Sequence, residues 1–290
     1  MNDFAVVTDS SCDLPAQAAE EMDLTVLPLT FTMGGKEYTN YLDGRELPIR
    51  DFYARLRSGE MPHTAAVNLE AFLAALEPLL KAGRDVLVAS FSSMLSSTCS
   101  TAKLACEELK KKYPERRLFC VDTRAASLGQ GMLVDYTVRQ KRLGKTIEEV
   151  RDWLEENKLR MCHWFTVDDL NHLKRGGRIS SAVALIGGML NVKPVMHVDD
   201  TGSLVPVGKV RGRRASLDAL VNHMAETAVK PEEQTVYISH GDSPEDAEYV
   251  ASEVKRRVGV KEVIINHVGP VIGAHSGPGT MALFFFGTHR

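Results

Sequence analysis

DVLVASF, residues 85–91, is a continuous run of mostly apolar residues without alternating polar positions. Such a run is typical of a strand in a parallel sheet whose two faces are both covered by helices. FAVVT at residues 4–8 and LFCVD at residues 118–122 have the same character, and helical patterns lie between the three runs. This alternation of strand and helix predicts a three-layer α/β/α domain with a parallel sheet.

Two helices and one further strand are predicted around these strands. Residues 70–82 repeat apolar side chains at the spacing of one buried helix face. Residues 95–112 form the next predicted helix, which ends before the Tyr-Pro pair because the residue before a proline disfavours helix. Residues 24–33 are predicted as one strand that pairs in the same domain.

The pattern changes after about residue 159. Residues 193–198 and 203–210 are two strand-like segments around an Asp-Asp-Thr-Gly turn, which predicts a hairpin. Helix and strand patterns then alternate up to residue 268. Hairpins mixed with helices predict a second, two-layer α/β domain with a mixed sheet. We place the domain boundary so that the two domains comprise residues 1–160 and residues 161–290.

Composition excludes several classes of protein. The 290 residues include 35 Lys+Arg and 38 Asp+Glu, and a formal net charge of −3 gives no general surface for nucleic acid. Five cysteines with no CxxC pair predict neither a disulfide framework nor a metal site. The apolar runs are far shorter than the ~20 residues of a membrane span, and the first residues lack the basic region of a signal peptide. We therefore expect a cytoplasmic protein without an integral membrane segment.

Hydroxyl-bearing residues follow three predicted strands of the first domain. They are Ser10 and Ser11; Ser92, Ser93 and Ser96; and Thr123 and Ser127. Ligands of open parallel sheets bind beyond the carboxyl ends of the strands, where N–H groups at helix starts attract anions. The nucleotide-binding motifs GxxxxGK[ST] and GxGxxG are absent, so neutral hydroxyls suit a single carboxylate better than a triphosphate. Each hydroxyl is also explained as an ordinary helix cap, and both interpretations stay open.

Other candidate residues lie outside these turns. Thr64 adds a hydroxyl in a loop, and His275 lies between glycines that leave room for a ligand. The alternative for His275 is a histidine that holds a tight turn by hydrogen bonds. Arg178, Lys209 and Arg211 carry positive charge and are expected to form a rim outside the apolar first domain.

Six motifs, in order along the chain, resemble those of the DegV family of bacterial fatty-acid-binding proteins. They are VTDSSCDLP (residues 7–15), FSSMLSSTCSTA (91–102), VDTRAASLGQGMLV (121–134), LKRGGRIS (173–180), LNVKPV (190–195) and VGPVIGAHSGPG (268–279). The resemblance implies a two-domain fold with a long-chain fatty acid in the first domain and its carboxyl group at the domain interface. It also implies a separate ATP-dependent fatty acid kinase subunit, which converts the carboxyl to an acyl phosphate for phospholipid synthesis.

The resemblance carries over to individual residues. It implies that Thr64, Ser93 with Ser92 beside it, and His275 bind the carboxyl group, and that no residue of this chain is catalytic. The family's usual T-S-Q-P loop is TAAV at residues 64–67 in this chain, so only its threonine is retained.

The same resemblance assigns Arg178, Lys209 and Arg211 to the kinase partner or to the phosphate being transferred. No cofactor or metal is implied, since the fatty acid is the ligand. The family's L-S-G-T is here LSST at residues 95–98.

Two other functions stay open. A serine acyl hydrolase or transferase would use Ser93 activated by His275, although no GxSxG elbow contains Ser93 and the sequence identifies no orienting acid. A lipid-binding regulator would need no kinase partner. A transient contact with the membrane is compatible with either lipid-binding interpretation.

Overall fold

The computed structural model describes residues 4–180 and 191–290, so Leu190, the first residue of the LNVKPV motif, lies outside the described residues. The strands are β1 (Phe4–Asp9), β2 (Thr25–Leu27), β3 (Thr30–Met33), β4 (Lys36–Thr39), β5 (His63–Ala65), β6 (Asp85–Ser90), β7 (Leu118–Asp122), β8 (Met161–Thr166), β9 (Val192–Val198), β10 (Leu204–Arg211), β11 (Thr235–His240), β12 (Glu262–His267) and β13 (Met281–Phe286).

The helices follow the same order. They are α1 (Ala16–Glu21), α2 (Ile49–Arg57), α3 (Leu69–Lys81), α4 (Thr98–Lys112), α5 (Leu128–Arg142), α6 (Ile147–Asn157), α7 (Leu170–Arg175), α8 (Arg213–Thr227), α9 (Pro244–Val258) and α10 (Pro270–Ser276). Within residues 4–180 and 191–290, none has the length and apolar content needed to cross a bilayer.

The first sheet has the strand order β2-β1-β6-β7, and all of its strands are parallel. Helices α3 and α4 cover one face, while α5 and α6 cover the other. Residues of β1 and β6 are buried on both faces, which explains why these strands read as continuous apolar runs. The predicted three-layer parallel-sheet architecture is confirmed.

The second sheet has the order β10-β9-β8-β13-β11-β12. Its β11–β12 pair is parallel and the other neighbours are antiparallel, so the sheet is mixed, as predicted. Helices α8 and α9 pack on one face, and α5 packs against strands on the other. One apolar cluster therefore joins the two sheets through α5, with Val6, Met132 and Phe284 among its members. The boundary at residue 160 stays a prediction.

The predicted single strand at residues 24–33 is wrong. Strand β2 pairs with β1 in the parallel sheet, whereas β3 pairs with β4 and β5 in a third, antiparallel sheet. Pro28 lies between them and has no N–H for a strand ladder, which favours a break at this point. Gly34 and Gly35 both have positive φ, and they form the tight turn that joins β3 to β4.

One further prediction needs correction, and one segment gains a helix that was not predicted. Helix α4 begins at Thr98 and not at residue 95, because the N–H groups of Leu95 and Ser96 donate to the carbonyl of Ser92 in a separate turn. The glycine-rich segment around His275 contains helix α10, whose first residue is Pro270. Proline is favourable at a first helical position, because the N–H that it lacks would have no partner there.

Candidate functional site

A cavity of about 220 Å³ lies between residues that follow strands of the first sheet and residues of the second sheet. A single water occupies about 10–15 Å³ by a comparable measure, so this space has room for a larger ligand. Much of its wall is apolar, formed by Leu29, Phe91, Leu95, Ala126, Phe165 and Leu204 among others. Its lining comes from both sides of residue 160, which is compatible with a carboxyl group at the domain interface, although apolar residues of the second half also contribute to the wall.

Thr64 and His275 meet in the wall of this cavity. The Thr64 hydroxyl and His275 Nε2 form a hydrogen bond of 2.9 Å, although the two residues are 211 positions apart. Thr64 is held in β5 by pairing with Phe31 of β3. Helix α10, which carries His275, contacts both of these strands. The third sheet therefore serves to bring Thr64 to the cavity.

The imidazole of His275 is neutral at pH 7. Burial lowers its pKa to about 4, and the positive charge of Arg178 contributes in the same direction. Nδ1 is buried without a hydrogen-bond partner among the described residues. It lies against the backbone of Gly176, where a Cβ atom would be only 2.1 Å from it. The close packing of α7 on α10 thus fixes the position of this ring.

Arg178 also lines the cavity, which corrects its predicted place on an outer rim. Its guanidinium donates to the carbonyl of Leu95 through Nε (3.1 Å) and Nη2 (2.9 Å), and to the carbonyl of Gly176 through Nη1. Burial lowers the pKa of Arg178, but a guanidinium keeps its charge in proteins. The side chain thus brings a positive charge to the wall and connects it to the turn before α4.

Ser92 and Ser93 do not line the cavity. Ser92 is buried, and its hydroxyl donates to the carbonyl of Gly202 at 2.9 Å. Ser93 is exposed, and its hydroxyl donates to Asp122 Oδ2 at 2.5 Å. The structure therefore does not bring these two hydroxyls together with Thr64 and His275, and their binding to the carboxyl group stays a prediction.

Ser96 and Ser97 line the cavity where Ser92 and Ser93 do not. The Ser96 hydroxyl accepts the N–H of Thr98 at 3.2 Å and hydrogen-bonds with its hydroxyl at 2.9 Å, at the start of α4. Ser96 belongs to the hydroxyl-rich turn predicted after β6, but it was not among the predicted site residues. The consecutive hydroxyl residues directly before the helix are the signal that could have identified it.

The other two hydroxyl-rich turns differ in their roles. Ser10 accepts hydrogen bonds from the N–H of Leu29 and the amide of Asn40, so the first turn is structural. Ser127 lines the cavity, and its hydroxyl is 2.5 Å from Asp13 Oδ2 and 3.0 Å from the hydroxyl of Ser239. Burial raises the pKa of Asp13 to about 7, and Ser127 is its hydrogen-bond donor.

Lys209 and Arg211 lie outside the cavity lining, on β10. Both side chains are exposed and occupy alternate positions of the strand, so they point to the same side. Neither forms an ion pair with a described residue. They constitute an exposed positive surface whose role stays a prediction.

The serine hydrolase alternative needs a hydrogen bond between Ser93 and His275. The structure joins His275 to Thr64 and Ser93 to Asp122 instead. The nucleophile and base of that mechanism are therefore not paired. In the described part of the chain, no group of three or more His, Cys, Asp or Glu side chains could hold a metal ion.

Sequence analysis missed polar cavity residues in the second half of the chain. They are His163, Ser239, Ser276 and Thr280. His163 and Ser239 lie within strongly apolar strands, and an isolated polar residue in such a strand is the signal that could have drawn attention to them.

Comparisons with known proteins give a consistent result. The family model described as "Uncharacterised protein, DegV family" matches residues 3–288. A DegV domain-containing protein of Clostridium perfringens is 45% identical over 287 residues, covering 99% of this chain and 98% of its own length.

Solved structures agree in fold over nearly the whole chain. A DegV family protein from Thermus thermophilus, described by its fatty acid binding, has a TM-score of 0.87 at 30% identity, covering 98% of this chain and 99% of that one. A DegV lipid-binding protein from Thermotoga maritima has a TM-score of 0.86 at 27% identity, covering 99% of both chains.

Proposed function

This chain belongs to the DegV family, and we propose that it binds a long-chain fatty acid in the cavity and presents the carboxyl group to a separate ATP-dependent kinase. The observation that carries this proposal is the hydrogen-bonded pair of Thr64 and His275, with Arg178, in the wall of a largely apolar cavity. The relative from Thermus thermophilus described by its fatty acid binding supports it.

The proposed seat for the carboxylate consists of Thr64, His275 and Arg178. A buried carboxylate is costly unless it accepts hydrogen bonds, so donors must converge on it. With its proton on Nε2, neutral His275 donates to the Thr64 oxygen, and the Thr64 hydroxyl is then free to donate to the carboxylate. Arg178 adds a positive charge and has N–H groups beyond the three that bind carbonyls. Ser96 and Ser97 supply further hydroxyls in the same wall.

The apolar wall accounts for the acyl chain. Each buried methylene contributes about 0.8 kcal/mol, so about ten methylenes contribute about 8 kcal/mol before the costs of ordering the ligand. Phe91, Leu95, Phe165 and Leu204 offer such a surface. The acyl chain thereby provides most of the binding affinity, whereas the polar residues of the protein fix the position of the carboxyl group.

The coupled reaction would be a phosphoryl transfer. An oxygen of the carboxylate attacks the γ-phosphorus of ATP on the kinase, the bond from that phosphorus to the bridging oxygen breaks, and ADP leaves. A fatty carboxylate is ionised at neutral pH, so this chain needs no general base. Such reactions depend mostly on positioning and charge, which is compatible with a non-catalytic carrier.

The remaining expectations complete the proposal. We propose that Lys209 and Arg211 contact the kinase or the phosphate, that the protein acts in the cytoplasm, and that its domains divide near residue 160. The β8 strand begins at Met161 in the second sheet, which supports that division.

Mass spectrometry of lipid extracted from the purified protein tests the first step. We expect a long-chain fatty acid in equimolar amount, and we expect delipidated protein to bind stearic acid in a direct titration. The proposal would be overturned if the extract contained no fatty acid and the delipidated protein did not bind stearic acid.

A second assay separates the carrier from the other functions. Loaded protein mixed with ATP and a fatty acid kinase should yield acyl phosphate. Turnover of an activated acyl ester by the protein alone would instead identify a hydrolase. Lipid binding without any acyl phosphate would favour a regulator.

A further inference from the structure

His163 is a polar residue in the apolar part of the cavity wall. It lies in β8, on the same face as Phe165, and pairs across the ladder with Phe284 of β13. Its ring centroid is 4.5 Å from that of Phe284 and 5.6 Å from that of Phe165. The residue is 5% exposed and lines the cavity. An aromatic hydrocarbon would be the ordinary choice at such a position.

The imidazole of His163 has no hydrogen-bond partner among the described residues. Its Nδ1 is buried and has no hydrogen-bond partner within residues 4–180 and 191–290. Burial keeps the ring neutral by lowering its pKa, and the nearby charge of Arg290 acts in the same direction. A neutral imidazole offers one donor and one acceptor, and leaving them unpaired costs stability. The described residues therefore leave Nδ1 of this imidazole without a partner, and a ligand in the cavity is the partner that we consider.

The chemistry of the wall limits what that partner is. A second carboxylate would need its own counter-charge, and Arg290 already donates to the carbonyls of Met161, Arg124, Asp199 and Lys158. A methylene cannot hydrogen-bond at all. A hydroxyl both donates and accepts, so it pairs with either tautomer of a neutral imidazole.

We propose that the cavity selects a fatty acid that carries a hydroxyl group on its acyl chain, and that His163 hydrogen-bonds to that hydroxyl. This inference rests on the proposed function and adds a substrate class to it. The carboxyl group keeps its place at Thr64, His275 and Arg178, while His163 acts as a specificity-determining residue elsewhere in the wall.

A thermodynamic cycle tests the proposal. The dissociation constants of stearic acid and of a series of monohydroxystearic acids, with the hydroxyl at successive chain positions, are measured by titration calorimetry. The delipidated native chain is compared with His163→Phe. The preference is the dissociation constant of stearic acid divided by that of the hydroxystearic acid. For at least one hydroxyl position, we expect this preference to be about tenfold larger in the native chain than in His163→Phe.

Two further variants make the result decisive. Phe165→Leu removes apolar surface from the same face, so we expect it to weaken stearic acid and hydroxystearic acids alike and to leave the ratio of their dissociation constants unchanged. His163→Gln retains a hydrogen-bonding group, and we expect it to retain the preference for the hydroxy acid, which also provides a test if His163→Phe fails to fold.

The outcomes separate this inference from the one on which it rests. Binding of stearic acid with no change of the ratio at any hydroxyl position would overturn the role of His163 and leave the proposed function intact. Absence of binding by every fatty acid would overturn the proposed function itself.

Discussion

At the residue scale, Thr64 and Ser93 carry the same functional group in different surroundings. The Thr64 hydroxyl bonds to His275 in the cavity wall, whereas the Ser93 hydroxyl donates to Asp122 on the surface. Geometry and family resemblance therefore give different expectations for Ser93, and substitution distinguishes them.

The first prediction concerns these hydroxyls. Thr64→Val keeps the shape of the side chain and removes a donor from the buried carboxylate, a loss of about 1–3 kcal/mol, or about a 5- to 150-fold weaker affinity for stearic acid. Ser93→Ala, which serves as the matched control, is expected to bind as the native chain does. Titration calorimetry measures both. Weakened binding in Ser93→Ala with normal binding in Thr64→Val would instead support the seat implied by the resemblance.

The second prediction concerns the pH dependence of stability. His275 has a pKa of about 4 in the folded chain. The ordinary value of about 6.5 applies when the chain is unfolded. Between these values the unfolded chain binds more protons, so the free energy of unfolding falls as the pH falls from about 6.5 to about 4. A difference of about 2.5 units corresponds to about 3 kcal/mol.

Denaturant unfolding of the native chain and of His275→Gln across this range provides the measurement. The difference between the two curves removes the contributions of other groups, such as Asp13, whose raised pKa acts in the opposite direction. We expect the difference in free energy of unfolding between native chain and variant to be constant above pH 7. Below pH 6, we expect the native chain to lose stability relative to the variant. A pH-independent difference would contradict the lowered pKa of His275 in the folded chain.

At the element scale, the contact between α7 and α10 fixes the site. The backbone of Gly176 at the end of α7 has a helical φ of −71°, so a side chain causes no backbone strain there. It would, however, meet the ring of His275, because a Cβ atom would lie 2.1 Å from Nδ1. Space, and not conformational freedom, is the reason for glycine at this position.

The third prediction follows from that contact. Gly176→Ala should displace His275 from Thr64 and weaken stearic acid binding by about tenfold, the effect of one lost hydrogen bond to a buried group. Gly208→Ala is the matched control, since a Cβ atom there meets nothing within 4 Å. Equal affinities of the two variants would mean that α7 and α10 separate without cost to the site.

At the scale of the whole molecule, the two sheets share α5 and close one cavity between them. Lys209 and Arg211 lie outside this cavity, on the exposed strand β10. A change at these positions should therefore affect contact with a partner and not retention of lipid.

The fourth prediction uses this separation. Lys209→Glu with Arg211→Glu should lower the rate of acyl phosphate formation with the kinase by at least about tenfold, because charges at an interface govern encounter and orientation. Lipid content by mass spectrometry should stay unchanged. Lys110→Glu with Lys111→Glu, an equal charge reversal on exposed residues of α4, is the control and should retain activity. Parallel loss of lipid and activity would show that β10 shapes the cavity.

Local sequence alone determined the central strands and most helices. Strands β1 and β6 were predicted because burial on both faces demands uninterrupted apolar residues, a requirement visible in each strand by itself, and the edge strand β7 has the same mostly apolar sequence. The same local pattern did not reveal the third sheet, since β3, β4 and β5 have three or four residues each. Segments of that length are identified by their pairing partners and not by their own periodicity.

Sequence also marked Thr64 and His275 as candidates, Thr64 through the family resemblance and His275 through its position between glycines as well. Their hydrogen bond depended on the pairing of β5 with β3 and on the packing of α10 against these strands. The preference for Ser96 over Ser93 was equally a tertiary result. Consecutive residues of a turn point in different directions, and only the position of the second sheet defines which direction leads into the cavity.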